Sequence, residues 1–223
     1  MGCSAGRAWR LRSIAMLDFE KGFYSDKVKL IAGTDEAGRG PLAGPVYVAA
    51  VIFDKGYENP DIDDSKKLSE KKRLALFEQI KKDALAYSIV SLPPEKIDEI
   101  NIYEASRLGM KMAIDSLSVK PDLALTDAMP LPGFHIPYVN LVRGDAKCLC
   151  IAAASILAKV SRDLYMDELG RRYPNFSFSK HKGYGTKKHL QELAEFGPIK
   201  GVHRFSFEPV RQTNIFDFLK EGE

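Results

Sequence analysis

The chain has 223 residues, 45% of them hydrophobic and 28% charged, with a formal net charge of +3. Those proportions exclude a low-complexity or intrinsically disordered chain, and the length suffices to bury a core without disulfides or a structural metal. A mild positive excess is compatible with an anionic partner, but its distribution matters more than its sum.

Residues 1–15 carry arginines but no apolar stretch of signal-peptide length, so they read as an unstructured extension, with Met16 as an alternative start. Residues 16–223 are expected to form a single domain with a short C-terminal helical part. No apolar run approaches the ~18 residues of a membrane span, so no membrane association is expected. The three cysteines, Cys3, Cys148 and Cys150, are odd in number, and Cys-x-Cys is too tight for a disulfide or a zinc knuckle. A reducing, cytoplasmic setting follows, with Cys148 and Cys150 packed as small apolar residues.

Taken in chain order, residues 28–35 and 45–53 read as strands buried on both faces, because apolar residues succeed one another without alternation. A polar loop follows at 58–65. Ser69 is a plausible N-cap for a helix whose Leu74, Phe77, Ile80 and Leu85 recur at roughly helical spacing. "AYSIVSL" (86–92) is a third strand, and 93–117 a helix entered through Pro93 and Pro94. "DLALTDA" (122–128) and "YVNLVRGDAK" (138–147) are two more strands, ending in Asp127 and at Gly144-Asp145. Residues 148–174 form the strongest helix signal, stopped by Pro174. The basic loop "SKHKGYGTKKH" leads into a helix at about 187–196, and the tail "HRFSFEPV" is irregular. Strands alternating with helices imply an α/β domain with a mixed sheet.

Four acids share a position at strand ends: Asp35, Glu36, Asp127 and Asp145. A lone Asp after a strand is usually a turn former or a helix cap, and Asp127 and Asp145 each admit that reading. Asp35-Glu36 does not, because both flanks are apolar and a paired acid there costs folding energy. If the three strands are parallel neighbours, the acids converge and repel one another, and a divalent cation is the usual remedy. An all-oxygen set favours Mg²⁺ or Mn²⁺ over zinc. Asp35 and Glu36 would point to opposite faces of a regular strand, so a bend must follow them. Gly38 and Gly40 permit it, and Arg39 between them offers a fork for a phosphate.

Residues 179–189 carry Lys180, Lys182, Lys187 and Lys188, no acid, and Tyr184 between two glycines. A solvated loop would look similar, but beside a metal site the pattern fits a nucleic-acid backbone and a stacked sugar or base. Lys66 and Lys147 are further candidates for phosphate contact, whereas Lys67, Lys71 and Lys72 read as solvated.

"DEAGRGPLAGPV", "DSKKLS", "GDAKCLCIAAASILAKVSRD", "HKGYGTKKH" and "HRFSFEPV" together resemble type 2 ribonuclease H, specifically the bacterial ribonuclease HII family, with the motifs in family order from about residue 30 to 210. The resemblance implies a ribonuclease H-like mixed five-stranded sheet flanked by helices. It implies a monomeric endonuclease that cuts RNA in RNA–DNA hybrids and cuts 5′ of ribonucleotides embedded in duplex DNA, in replication and ribonucleotide excision repair. Its four acids fall on Asp35, Glu36, Asp127 and Asp145, which would hold two Mg²⁺ or Mn²⁺ ions. Its Gly-Arg-Gly element falls on Gly38, Arg39 and Gly40, and its 2′-OH-sensing tyrosine on Tyr184. Lys66, Lys147 and Lys182 would join Arg39 in steadying phosphates. Cys148 stands where many members have Ser, and the chain stops at Glu223 where some relatives carry a further helical segment. Two rival readings are a catalytically silent hybrid-binding module and another metal nuclease of the same fold.

Overall fold

The computed structural model describes residues 18–62, 65 and 68–212. The expected extension at 1–15, and Lys66, lie outside the described residues. In chain order come β1 (Ile31–Ala37), β2 (Val46–Ile52), α1 (Glu70–Asp83), β3 (Ala86–Leu92), α2 (Pro94–Asp115), β4 (Leu123–Asp127) and β5 (Tyr138–Leu141). A short 3₁₀ turn (Gly144–Ala146) leads to α3 (Leu149–Arg172), the one-turn α4 (Phe178–His181) and α5 (Lys187–Phe196). The chain divides into two compact units. One comprises residues up to Ala37, Val48–Val90 and Arg107–Val160; the other comprises Gly38–Tyr47, Ser91–Ser106 and Ser161 onward.

The first unit carries the sheet. Its order is β3-β2-β1-β4-β5. β1 runs parallel to β4, and β4 parallel to β5. Val48, Ala50 and Ile52 recur every second residue on one face of β2, and they meet Met110, Ala113 and Ile114 of α2 in a buried cluster with Ala32 and Ala124. Period two on the strand thus faces helical spacing on α2. Gly33 of β1 marks a second close approach: a Cβ there would stand 2.3 Å from the Cys150 backbone at the start of α3. Cys148 and Cys150 are both buried, as the sequence predicts. Burial is the main reason their thiols are pushed up from the ordinary range, which leaves them inert.

α1 follows its predicted bounds closely, and Ser69 caps it by accepting the Lys72 N–H at 3.3 Å. Its buried face differs from the predicted one. Leu76, Phe77 and Ile80 are buried, whereas Leu74 and Leu85 are exposed. Leu76 takes the place expected of Leu74 beside Phe77 and Ile80, and Leu85 lies past the end of the helix at Asp83. α2 is also interrupted where an unbroken helix is expected. Asn101 lies in the left-handed half of the map at φ 64°, and its side-chain oxygen accepts the N–H groups of Tyr103 and Glu104. It thereby caps a new helical start inside the segment.

The second unit has its own core: Leu42, Ala43, Met166, Leu169, Phe176, Phe178, Leu193 and Val202. Thr186 caps α5 by accepting from His189 N–H. Among the described residues, no helix is long and apolar enough to cross a membrane.

Candidate active site

The predicted convergence of acids requires β1, β4 and β5 to be parallel neighbours, and the sheet meets that condition. β1, β4 and β5 are adjacent and parallel, with Thr34 paired to Thr126 and Asp127 to Leu141. One step beyond the Thr34–Thr126 pair stand Asp35 and Asp127. Thr34 itself is tied down by donating its hydroxyl to Ala49 O at 2.8 Å, and Thr126 by donating to Met129 O. The two residues that precede the acids are therefore fixed, and the acids with them.

Asp35 is 6% exposed. Burial first, then the charges of Glu36 and Asp127, raise its carboxyl well above the usual range. Ser155, and the Glu36 N–H at 2.7 Å, oppose the shift without cancelling it. Asp127 Oδ1 accepts the Gly144 N–H at 2.6 Å, which binds the end of β4 to the 3₁₀ turn. A Cβ at Gly144 would stand 2.6 Å from Ile151 Cδ1, so a side chain there would displace the end of Ile151.

Asp145 is placed differently from its prediction. β5 stops at Leu141, Arg143 turns left-handed at φ 57°, and Asp145 sits buried in the 3₁₀ turn rather than at a strand end. The reason is the short reach of β5: parallel pairing ends at Asp127, and the chain must then turn into α3. Lys147 closes the same turn with its N–H on Gly144 O.

Among the described residues, no three of the His, Cys, Asp and Glu side chains are drawn together tightly enough to ligate one ion. The donor set nevertheless fits a hard divalent cation. It is all carboxylate, partly buried, and mutually repelling, so a cation would relieve the cost carried by Asp35.

A second constellation lies within the other unit. Gly38 has φ +99°, and a Cβ there would fall 2.1 Å from Arg162 Nε. Arg204, 0% exposed, gathers the loop that follows. Its Nη2 donates to Gly38 O at 2.6 Å and to Gly44 O at 2.8 Å, its Nη1 to Arg39 O at 2.9 Å, and its Nε to Gly44 O at 3.0 Å. Arg162 donates to Ala43 O at 3.1 Å and Pro45 O at 3.2 Å. Burial first, then the neighbouring Arg162 charge, lowers Arg204 to about 9, so it remains a cation at neutral pH. Two buried guanidiniums thus hold the carbonyls of Gly38, Arg39, Ala43, Gly44 and Pro45, while Arg39 and Gly40 are exposed.

Tyr184 is 46% exposed. Arg162 lies 5.9 Å from its ring centroid, and a Cβ on Gly40 would stand 3.8 Å from its Cε1. The exposed tyrosine and the Gly-Arg-Gly segment are therefore neighbours, as a common role requires. Lys182 is engaged instead by the Asp167 carboxylate and the Asp163 carbonyl. Sequence reasoning gave no role to Arg162, Arg204, His189 or His203. Their only signal was membership of "VSRD", "KKH" and "HRFSF".

A mixed sheet with carboxylates gathered at the ends of parallel strands defines a protein of the ribonuclease H-like fold. Residues 32–210 match the ribonuclease HII family. The chain is 52% identical over 198 residues to ribonuclease HII of Acholeplasma laidlawii, covering 89% of this chain and 96% of that one. It is 50% identical over 198 residues to ribonuclease HII of Halalkalibacterium halodurans, covering 89% and 74%. The crystal structure of ribonuclease H2 from Pyrococcus horikoshii superposes with a TM-score of 0.72 at 25% identity, covering 84% of this chain and 98% of that one. The chain belongs to the ribonuclease HII family, and it is a ribonuclease H, a metal-dependent endonuclease that hydrolyses phosphodiesters.

Proposed function

We propose that the chain cuts the RNA strand of RNA–DNA hybrids and, within duplex DNA, the phosphodiester on the 5′ side of a single ribonucleotide, leaving 5′-phosphate and 3′-hydroxyl ends. Mg²⁺ or Mn²⁺ is the metal, Asp35, Glu36, Asp127 and Asp145 are its ligands, and the protein acts as a cytoplasmic monomer. The observation that carries this reading is Asp35: a carboxyl at the end of a parallel strand, beside Glu36 and Asp127, raised first by burial and then by those acidic neighbours. Folding energy is spent to keep those acids together, and cation binding is the return on it.

When bound, a pair of such ions activates water for in-line attack on phosphorus and stabilises the leaving 3′-oxygen. Asp35 and Asp127 stand side by side as fixed oxygen donors, held by the bonded Thr34 and Thr126 before them. Glu36 follows directly, and Asp145 is presented by a turn that Asp127 itself ties. The Gly38–Gly40 segment binds substrate. The Gly38 and Arg39 carbonyls are turned onto Arg204, and the amides of the segment with the Arg39 guanidinium recognise a phosphate and a 2′-hydroxyl. Tyr184 reads the sugar beside Gly40. Lys147 contributes positive charge toward the backbone; Lys182, engaged by Asp167, steadies the loop.

The test is cleavage of a long hybrid and of a duplex carrying one ribonucleotide, with Mg²⁺, with Mn²⁺ and with EDTA, followed by analysis of the new ends. Metal-dependent cutting 5′ of the ribonucleotide with 3′-hydroxyl ends is expected. Retained binding with no cutting in either metal would make the protein a silent hybrid-binding module, and equal cutting of all-DNA duplex would make it a different nuclease.

A further inference from the structure

His181, His189 and His203 are buried in the second unit, and the hydrogen bonds that each makes admit one proton arrangement. His203 Nδ1 accepts the Ile199 N–H at 2.9 Å, so the His203 proton is on Nε2. That atom lies 3.2 Å from His189 Nε2, which must accept. His189 therefore carries its proton on Nδ1, 2.9 Å from the carbonyl oxygen of Tyr184. His181 obeys the same logic: its Nδ1 accepts the Gly183 N–H at 3.1 Å, and its Nε2 donates to Glu192 Oε2 at 2.9 Å. Glu192 is held in turn by the N–H and hydroxyl of Ser177. The His181 and His189 rings stack 4.2 Å apart, and Phe176 and Phe178 stand edge-on to His189.

Such a chain exceeds what packing requires, since apolar side chains would fill the same space without buried polar atoms to satisfy. It terminates at Tyr184, in a loop with little regular structure of its own. Lys182 and Gly183 are both left-handed, at φ 50° and 81°, and among the described residues His189 and the Thr186 N–H, at 2.8 Å, meet the Tyr184 carbonyl. We propose that His189, oriented by His203, is a positioning residue for ribose discrimination: its Nδ1–H fixes the Tyr184 peptide and so the pose of the exposed Tyr184 ring. The proposal rests on the reading of Tyr184 as the group that senses the sugar.

The experiment compares wild type, His189→Leu, His189→Asn and Tyr184→Ala. For each, kcat and KM are measured on a single-ribonucleotide duplex, and affinity on the matched all-DNA duplex. In His189→Asn the side-chain amide nitrogen stands near the place of Nδ1, so it can still donate to the Tyr184 carbonyl. His189→Leu is expected to lose about tenfold in kcat, the worth of one buried hydrogen bond, with all-DNA affinity unchanged, and His189→Asn to recover most of the loss. A folded His189→Leu that cuts at the wild-type rate overturns the proposal, as does an Asn variant no better than Leu. If Tyr184→Ala itself cuts at the wild-type rate, the sugar-reading role fails and takes the proposal with it. If Tyr184→Ala is impaired while His189→Leu is not, only the relay fails. Should His189→Leu not fold, nitrogen NMR of the wild-type imidazoles decides: protons on His189 Nδ1 and His203 Nε2 support the relay, and the opposite tautomer or a charged His189 at neutral pH overturns it.

Discussion

Asp35 and Asp127 occupy neighbouring places on two parallel strands, each one residue past the paired threonines Thr34 and Thr126. Nothing in the packing needs two acids there, and burial together with mutual repulsion raises the Asp35 carboxyl. Without metal, Asp35→Asn and Asp127→Asn should each leave the fold intact and raise the melting temperature by a few degrees, about 1 kcal/mol. Calorimetry in EDTA checks this. A clear drop in melting temperature would make the two acids structural.

Added metal should likewise stabilise wild type, by neutralising the same acids. Mn²⁺ or Mg²⁺ that binds only the folded protein stabilises it by about 2.7 kcal/mol at a hundredfold excess over Kd. The gain should shrink strongly in Asp35→Asn and Asp127→Asn, which have lost a ligand. Thermal melts across a metal titration provide the readout, and equal shifts in wild type and variants would move the ion elsewhere.

Arg204 links three loop carbonyls through one planar fork, a geometry an ammonium cannot reproduce. Arg204→Lys should therefore cost roughly 2–4 kcal/mol of stability and weaken hybrid binding, because buried carbonyls lose their partners. Gly38→Ala should also destabilise the protein, since its Cβ would meet Arg162 and its φ of +99° disfavours any side chain. Urea unfolding of both variants is the check, and wild-type midpoints would refute the scaffold role of the two arginines.

The strand-end acids could be picked out in the sequence, and the scaffold around them could not. Asp35-Glu36 stood out because an acid pair between apolar strands has no local excuse. Parallel β1-β4-β5 pairing was a condition the sequence could pose but not answer, since periodicity carries no strand order. Asp145 is buried in the 3₁₀ turn and not at a strand end, because β5 is too short to carry it. Arg204 and His203 were invisible because their partners, such as Gly38 and His189, are distant in sequence, and a motif does not say where a long side chain will reach. The break at Asn101 had a signal, an Asn followed by a helix-forming run, that helical spacing on both sides concealed.

The buried histidines set a pH limit. Burial, then the adjacent His181, holds His189 down at about 4, and burial, then His189, holds His203 at about 3. Both lie below the ordinary value of about 6.5, so the unfolded chain binds more protons in between. Stability is thus fully present above about pH 6.5 and falls as pH drops toward 4, by up to ~1.4 kcal/mol per unit for each histidine. Urea midpoints at several pH values test this. A flat profile from neutrality down to about pH 5 would mean that the rings protonate freely.

The most direct test of the account is cleavage, in Mg²⁺, of two matched duplexes that differ by one ribonucleotide, by wild type and by Asp35→Asn. Wild type should cut only the ribonucleotide-containing duplex, immediately 5′ of that sugar. Asp35→Asn, folded, should be slower by at least about 10³-fold, the scale of several kcal/mol of metal-derived stabilisation. An Asp35→Asn protein that cuts at the wild-type rate would contradict the carboxylate centre outright.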